Sequence, residues 1–526
     1  MSAPQNPKWR YTWETLASIP NLRLFLFNPN INPANQCKDL KVSLNFEESL
    51  LLVSWNEETT PRANGSADFL LKIPIPRVLV DLSSLVDFRA TEDHIGVKLV
   101  LVVPINHPLL MNFDLGFNLS YGGSRRLETS LEQFQHLSLD SDMKYLTSQD
   151  GVHFYCKKCS IKLTKRPLRS FVEMPSVDWR EVADNWFGTC CCSFGGISEK
   201  LVNNYAISYT SAEGTCMIDA TSVIVSKNDL ANCVFRDYRD AGENDSDRSD
   251  LVSEENVAPS HGLLVKNQNH CCVDMTDHVG NHEYEDCSHD SITSSLGQES
   301  TKTTEILKNC QFLLNGSLGN SFMFKTSNLS KEIEWIEFRC TQCSSVVGAY
   351  PSATATGDLA PIDGGVRLFK CYTSTGVPTS GPGNIFRNYT LQRMFINRLM
   401  ESANDELSFR TVVKDLKTRS PMLQIVLLNS DAWSCTGYCI ERRDNEELVL
   451  KIKLHPVVKV LFSDCTNATD AQSRMIKEWE TKNQADEIYM LRHQVEELTE
   501  SLKSTQDRLP FSCSLIQGMS LSAIER

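Results

Sequence analysis

Along the first 150 residues, apolar positions come in short runs broken by prolines, without helical spacing. Lys41–Trp55 shows partial alternation and then the run Leu50-Leu-Leu-Val53. Asp68–Ile73, Arg77–Leu82 and Ile95–Val103 are rich in β-branched residues, and Pro74, Pro76 and Pro104 punctuate them. Short runs bounded by turn residues predict strands, and the prolines place their ends at edges. A β-rich unit over 1–150, a sandwich or open barrel, is expected. No glycine-rich phosphate loop follows any of these runs, so a nucleotide-binding α/β domain is not indicated.

Past residue 150 the pattern changes twice. Asp178-Trp-Arg-Glu181 fits a capping box, and Trp179, Val182 and Trp186 then share one helical face. The region from 306 returns to strand-like patterns at Glu332–Arg339, Leu407–Val413, Leu423–Leu428, Leu448–Leu454 and Val457–Phe462. Ala471–Leu509 is the one long helix predicted: Ile488, Leu491, Val495, Leu498 and Leu502 are spaced by three and four. That seam covers two heptads, too few for a sustained coiled coil, so packing on its own domain is expected. The fold class expected is α+β, mostly β. Four segments follow: 1–150 β-rich, 151–235 with a cysteine knuckle and a short helix, 236–305 a linker, and 306–526 β-rich with the long C-terminal helix.

Charge isolates the linker. The 526 residues carry 52 basic and 66 acidic side chains, a net of −14, and residues 237–300 alone hold 15 acidic and 3 basic ones. That tract has too few large apolar residues to offset its ordering entropy, and disorder is expected. The rest of the chain is near neutral, so general nucleic-acid binding by phosphate neutralisation is not expected; a local basic patch, such as Lys157–Arg169, stays open. No run approaches eighteen apolar residues, so no membrane span is expected. Met1–Pro7 is polar and does not read as a signal peptide. A cytoplasmic location is expected, with the nucleus as the alternative.

Nineteen cysteines, with no export signal, point to a reducing compartment and to thiols serving metal, chemistry or packing. Cys156-Lys-Lys-Cys159 and Cys340-Thr-Gln-Cys343 are two C-x-x-C pairs. Each lets two thiolates reach one tetrahedral ion from a tight turn, and together they supply a structural four-cysteine zinc site. The interval between them is long, but closure entropy grows only logarithmically with length. Gly348, downstream of the second pair, suits a knuckle turn. Buried free thiols are the main alternative. Cys190-Cys191-Cys192 read as small buried hydrophobes or as one supplementary ligand. His270, Cys271, Cys272, His278, His282, Cys287 and His289 lie in the linker, where no predicted element fixes a geometry. No H-e-x-x-H pattern supports a zinc hydrolase. By pattern alone, Cys513 in Leu509-Pro-Phe-Ser-Cys513 is an exposed loop thiol and a weak candidate nucleophile.

These pieces in order resemble the HECT-like ubiquitin-conjugating-enzyme-binding proteins, a group assigned to the E3 ubiquitin ligases. The resemblance is carried by the Cys156–Cys159 knuckle, by Met174-Pro-Ser-Val-Asp-Trp179 leading to Trp186 and the Cys190–Cys192 run, and by Phe338-Arg-Cys-Thr-Gln-Cys343. It continues in Leu427-Leu-Asn-Ser-Asp431, Val458-Lys-Val-Leu-Phe462 with Cys465, and the terminal Leu509–Cys513 segment. It implies that residues 306–526 form a HECT-like region. It also implies binding of a ubiquitin-conjugating enzyme (E2) and transfer of ubiquitin to protein substrates such as cyclin. Cys513 would be the thioester-forming cysteine, with Cys465 as the runner-up. Ser512 stands where threonine usually precedes a HECT cysteine. The other class of function is a zinc-stabilised, non-catalytic adaptor or chaperone-like binder, for example for the pre-mRNA cleavage and polyadenylation machinery.

Overall fold

The computed structural model describes residues 8–57, 67–107, 137–174, 211–231, 324–325, 333–353, 360–441 and 452–526. The Trp179 helix, Cys190–Cys192, the acidic tract and Leu448–Lys451 lie outside them.

The architecture is α+β and mostly β, with few helices. Its spine is the 18-residue strand Pro421–Tyr438. On one side the first part pairs with Arg410–Asp415 and the last part with Arg10–Leu16, both antiparallel. On the other side His455–Asp464 runs antiparallel along it, with register shifts at Leu427/Asn429 and Asn429/Ala432. Met519–Glu525 pairs with His455–Asp464 in turn. Beyond Arg10–Leu16 the sheet continues through Asn21–Phe27, Ile95–Val100 and Asp87–Ala90, and with Asp486–Met490, Phe324–Lys325 and Leu515–Ile516 it has eleven strands. Strands from the two ends of the chain are thus neighbours in one sheet.

A four-stranded sheet, Lys38–Asn45, Leu50–Glu57, Ala67–Pro74 and Ile440–Glu441, faces the first part of this sheet. Leu22, Leu24, Leu26, Ile95, Val97 and Leu99 from one sheet share a core with Leu51, Val53, Trp55, Leu71 and Ile73 from the other. These are alternate positions of each strand, so the period-two pattern seen in the sequence is the inward face of a sandwich. Trp13 is fully buried and its indole N–H donates to the Pro74 carbonyl at 3.0 Å, joining the layers.

A six-stranded sheet runs Ile333–Arg339, Val346–Ala353, Gly365–Phe369, Ser222–Ser226, Thr215–Ile218 and Ser170–Glu173. It packs with the helices Leu391–Asp405 and Arg492–Ser504 into a second core, which includes Phe154, Cys156, Cys340, Phe369, Phe395, Val458 and Leu498. Lys370 is completely buried in this region. Its ammonium lies 2.7 Å from Asp142, which also accepts from the Tyr389 hydroxyl.

Two expectations fail. The long helix over Ala471–Leu509 is instead a helix, a strand and a second helix: Asp470–Thr481, Asp486–Met490 and Arg492–Ser504. Thr469 and Gln472 close a capping box at the start, and Asn483, at φ 48°, ends the first helix in the left-handed region. Ile488 is then buried, with Tyr489 and Met490, as part of a strand parallel to Arg410–Asp415. Only Val495, Leu498 and Leu502 form a helical seam, and the apparent period before them is a strand running into a helix. Arg77–Leu82 is also not a strand. It contributes a single bridge, Val80 to Leu101, because Asp81 turns the chain by accepting from Ser83 and Ser84.

Candidate metal centre

Two turns build the centre. Cys156 ends the two-residue strand Tyr155–Cys156, where Thr373 is its partner. Its N–H donates to Ile161 O at 2.9 Å, and Ser160 N–H returns to Cys156 O at 2.8 Å. Cys340 follows strand Ile333–Arg339 at the tip of the hairpin with Val346–Ala353. Its N–H donates to Ser345 O at 2.8 Å, and Ser344 N–H returns to Cys340 O at 2.9 Å. The two knuckles therefore repeat the same bonds at the same offsets. In each, the residue after the second cysteine takes the left-handed conformation, Ser160 at φ 61° and Ser344 at φ 56°. A serine there costs roughly 1 kcal/mol more than glycine. Gly348 is not part of the turn. It lies in a strand, where a Cβ would come 2.0 Å from the Arg367 carbonyl oxygen, so close strand approach explains the glycine.

The structure brings all four sulfurs together. Cys156 Sγ lies 3.7 Å from Cys343 Sγ, and Cys159 Sγ lies 3.6 Å from Cys340 Sγ. All four ligand atoms fall within 4.8 Å of one another. A tetrahedron with Zn–S bonds of about 2.3 Å has edges of about 3.8 Å. Disulfides would need S–S contacts of about 2.05 Å, so these are thiols poised around a common point. The arrangement can hold a metal ion. Four protein sulfurs leave no open position, which is the closed pattern of structural sites rather than catalytic ones.

The electrostatics suit thiolates unevenly. Cys156 is buried, and burial pushes its thiol up to about 12, although the N–H groups of Cys159 and Lys158 point at the sulfur. Burial also raises Cys159, against a backbone N–H from Ile161. Cys343 is brought down to about 6 by the hydroxyl and N–H of Ser345. A metal cation supplies what the buried sulfurs lack, a positive charge that favours the deprotonated form.

A second layer fixes the turns. Lys157, inside the first knuckle, is half-buried and donates from Nζ to the carbonyls of Phe386 and Tyr389 at 3.3 and 2.9 Å. Arg339 donates to Ser344 O at 3.0 Å, clamping the second. His493 Nδ1 lies 2.9 Å from Glu337 on the strand that leads to Cys340, and Tyr372 donates to Glu497 at 2.7 Å. Both arginines of the basic stretch are also engaged: Arg166 pairs with Asp229 and Glu213, and Arg169 lies near Asp150.

The two other cysteines singled out in the sequence sit elsewhere. Cys465, just past strand His455–Asp464, is buried, and its sulfur lies 3.3 Å from Ser463 O. Burial pushes its thiol up to about 11, so it offers no accessible thiolate. Cys513 lies half-buried on the one-turn helix Phe511–Ser514. Burial raises its thiol, with Asp93 and Glu14 adding to the effect against Ser512 and Lys459. The neighbouring Ser512 donates its N–H and hydroxyl to the two Asp93 carboxylate oxygens at 2.7 and 2.9 Å. Asp93 also holds His94 Nδ1 at 2.8 Å. No local pattern announces Asp93, because its partner is 419 residues away.

No curated protein and no solved structure gives a match. The model of one family, HECT-like ubiquitin-conjugating enzyme (E2)-binding, matches residues 101–521, a span that contains both knuckles, the long strand and the Leu509–Cys513 segment. The chain belongs to the HECT-like ubiquitin-conjugating enzyme (E2)-binding family.

Proposed function

We propose that this protein binds a ubiquitin-conjugating enzyme and promotes transfer of ubiquitin from it to protein substrates, cyclin among them, in the cytoplasm or nucleus. The family match over 101–521 carries this reading. The metal centre enters as scaffold: Cys156, Cys159, Cys340 and Cys343 hold a structural zinc ion that ties the two knuckles. Zinc is the assignment because a closed set of four thiolates at tetrahedral separations suits its chemistry.

For the transfer itself, the surroundings of Cys513 favour direct passage from the conjugating enzyme to a substrate lysine. A thiol raised by burial and flanked by carboxylates is a poor nucleophile at neutral pH. The second reading is that Cys513 accepts ubiquitin first. Its partial exposure in the Leu-Pro-x-x-Cys turn supports this. In that step the Cys513 thiolate attacks the thioester carbonyl, a new C–S bond forms, and the enzyme's own thiolate leaves, an exchange near balance in free energy.

A discharge assay tests both. Conjugating enzymes preloaded with ubiquitin are mixed with the full chain and free lysine or substrate, and the products are run with and without reductant. The reading holds if at least one enzyme binds and discharges faster, and it fails if none in a broad panel does either. Direct transfer predicts that Cys513→Ser keeps the acceleration. A reductant-sensitive ubiquitin adduct that Cys513→Ser abolishes, or converts to a stable oxyester, makes Cys513 the acceptor.

A further inference from the structure

Beside the Cys513 turn lies a cleft of about 650 Å³, walled by the 27–32 loop on one side and by residues 506–515 on the other. Its walls are of two kinds. Phe27, Ile31, Leu509, Phe511 and Leu515 supply apolar surface, and Phe511, 78% exposed, is the most exposed of them. Glu92, Asp93 and Asp507 supply three carboxylates. The lining contains one cation, Arg10, and it is committed: its guanidinium donates to the Asp507 carbonyl and lies 5.7 Å from the Tyr438 ring centre. Asp93 is engaged with Ser512 and His94, whereas Glu92 and Asp507 are exposed and make no ion pair among the described residues.

An apolar cleft with a net negative rim attracts a segment that alternates apolar and basic side chains. In an extended segment alternate side chains point to opposite faces, so one set can meet the apolar wall and the other the carboxylates. We propose that this cleft binds an extended, arginine- and leucine-bearing peptide tail, the chemistry of the C-terminal Leu-Arg-Leu-Arg-Gly-Gly segment of ubiquitin. The leucines cover Phe511 and Leu515, and the arginines meet Glu92 and Asp507. This rests on the proposed handling of a ubiquitin-loaded conjugating enzyme. Holding the tail of the loaded ubiquitin straight would serve either route of transfer, because both need the thioester carbonyl presented openly.

The test uses the full-length protein and a fluorescent Leu-Arg-Leu-Arg-Gly-Gly peptide in anisotropy titrations at several salt concentrations. Binding that weakens with salt is expected. The double reversal Glu92→Lys/Asp507→Lys should weaken it at least about tenfold, and Phe511→Ala should weaken it about as much by removing the apolar wall. A Leu-Glu-Leu-Glu-Gly-Gly peptide should not bind measurably. All three substituted side chains are exposed, so folding is not at stake, and an unchanged melting temperature confirms it. Equal binding of the two peptides, or wild-type affinity in the charge-reversed variant, overturns the proposal. Capture of unloaded conjugating enzyme, measured in parallel, should be the same for wild type and variants. Capture without tail binding removes the cleft proposal and leaves the proposed function standing; absence of capture removes the latter.

Discussion

Removing one ligand from each knuckle, as Cys156→Ser/Cys340→Ser, should cost the protein its metal and a measurable part of its stability. The size follows from the chain that the centre closes. Its sulfur contacts join residues 181 and 187 positions apart. A cross-link closing a loop of that length restricts the unfolded chain by about 5 kcal/mol in the loop-entropy picture. That is a large fraction of the roughly 5–15 kcal/mol by which a domain is normally stable. At about 2–4 °C per kcal/mol, melting should fall by about 10 °C or more. The variant should also lack the roughly stoichiometric zinc that elemental analysis is expected to find in wild type. A tight chelator should reproduce the shift in wild type and do little to the variant. Cys513→Ser serves as the control, since its sulfur is no part of the centre, and should keep both zinc and melting temperature. Wild type purified under reducing, chelator-free conditions with less than about a tenth of an equivalent of zinc, and unmoved by chelation, would refute the reasoning. So would full zinc content in the double variant.

Two further outcomes follow from buried charges. Asp142→Ala should destabilise by about 3–5 kcal/mol, because it leaves the fully buried Lys370 ammonium without its carboxylate; a loss below about 1 kcal/mol in chemical denaturation would mean the lysine finds another partner. Burial tends to raise Asp415, but hydrogen bonds from Thr418 and Arg492 outweigh it and hold the carboxyl below its usual 3.8. A depressed folded value gives stability that is present above pH 3.8 and lost as pH falls through the lower folded value. Asp415→Asn should therefore flatten the acid limb of the stability curve, and parallel limbs in circular-dichroism titrations would contradict this.

What was legible in the sequence was what local pattern encodes. β-branched runs punctuated by prolines marked the stretches that become Ala67–Pro74 and Ile95–Val100, whereas the partly alternating stretch Lys41–Trp55 proved to be two paired strands, Lys38–Asn45 and Leu50–Glu57, because a half-buried strand and its hairpin partner share one pattern of apolar positions. The paired C-x-x-C spacing named the four sulfurs that the fold gathers, because a two-residue spacer is what a knuckle needs. Pattern misled where two periods abut. Ile488 and Leu491 continue the numerical spacing of Val495 and Leu498 while belonging to a strand and a helix cap, and Asn483 gave the only local hint of a break. Gly348 shows a different failure: a glycine can answer to backbone flexibility or to a neighbour's approach, and only the Arg367 carbonyl shows which. Nothing local could pair Arg10–Leu16 with Ala432–Tyr438, or Asp93 with Ser512, since those contacts are set by tertiary closure.

That closure gives the helix Arg492–Ser504 its place in the molecule. Its first two turns meet both arms of the metal centre. His493 reaches Glu337 on the strand feeding Cys340, and Glu497 accepts from Tyr372, next to the Thr373 that pairs with Cys156. Its apolar face, Val495, Leu498 and Leu502, sits in the same core as Cys156 and Cys340. Its far end leads through Thr505, bonded to Ser522, into the Leu509–Cys513 turn, and that turn is anchored by Asp93 from the N-terminal strands. The two ends are thus held by different parts of the chain. Opening the knuckles removes support from the first two turns alone, while the Ser512–Asp93 bonds and the apolar seam still fix the other end. The wall of the cleft therefore depends on the pairing of N- and C-terminal strands more directly than on the metal. The Arg10–Leu16 pairing to Pro421–Tyr438 is thus what brings Asp93 to Ser512 and sets the 27–32 loop across the cleft from Leu509, Phe511 and Leu515.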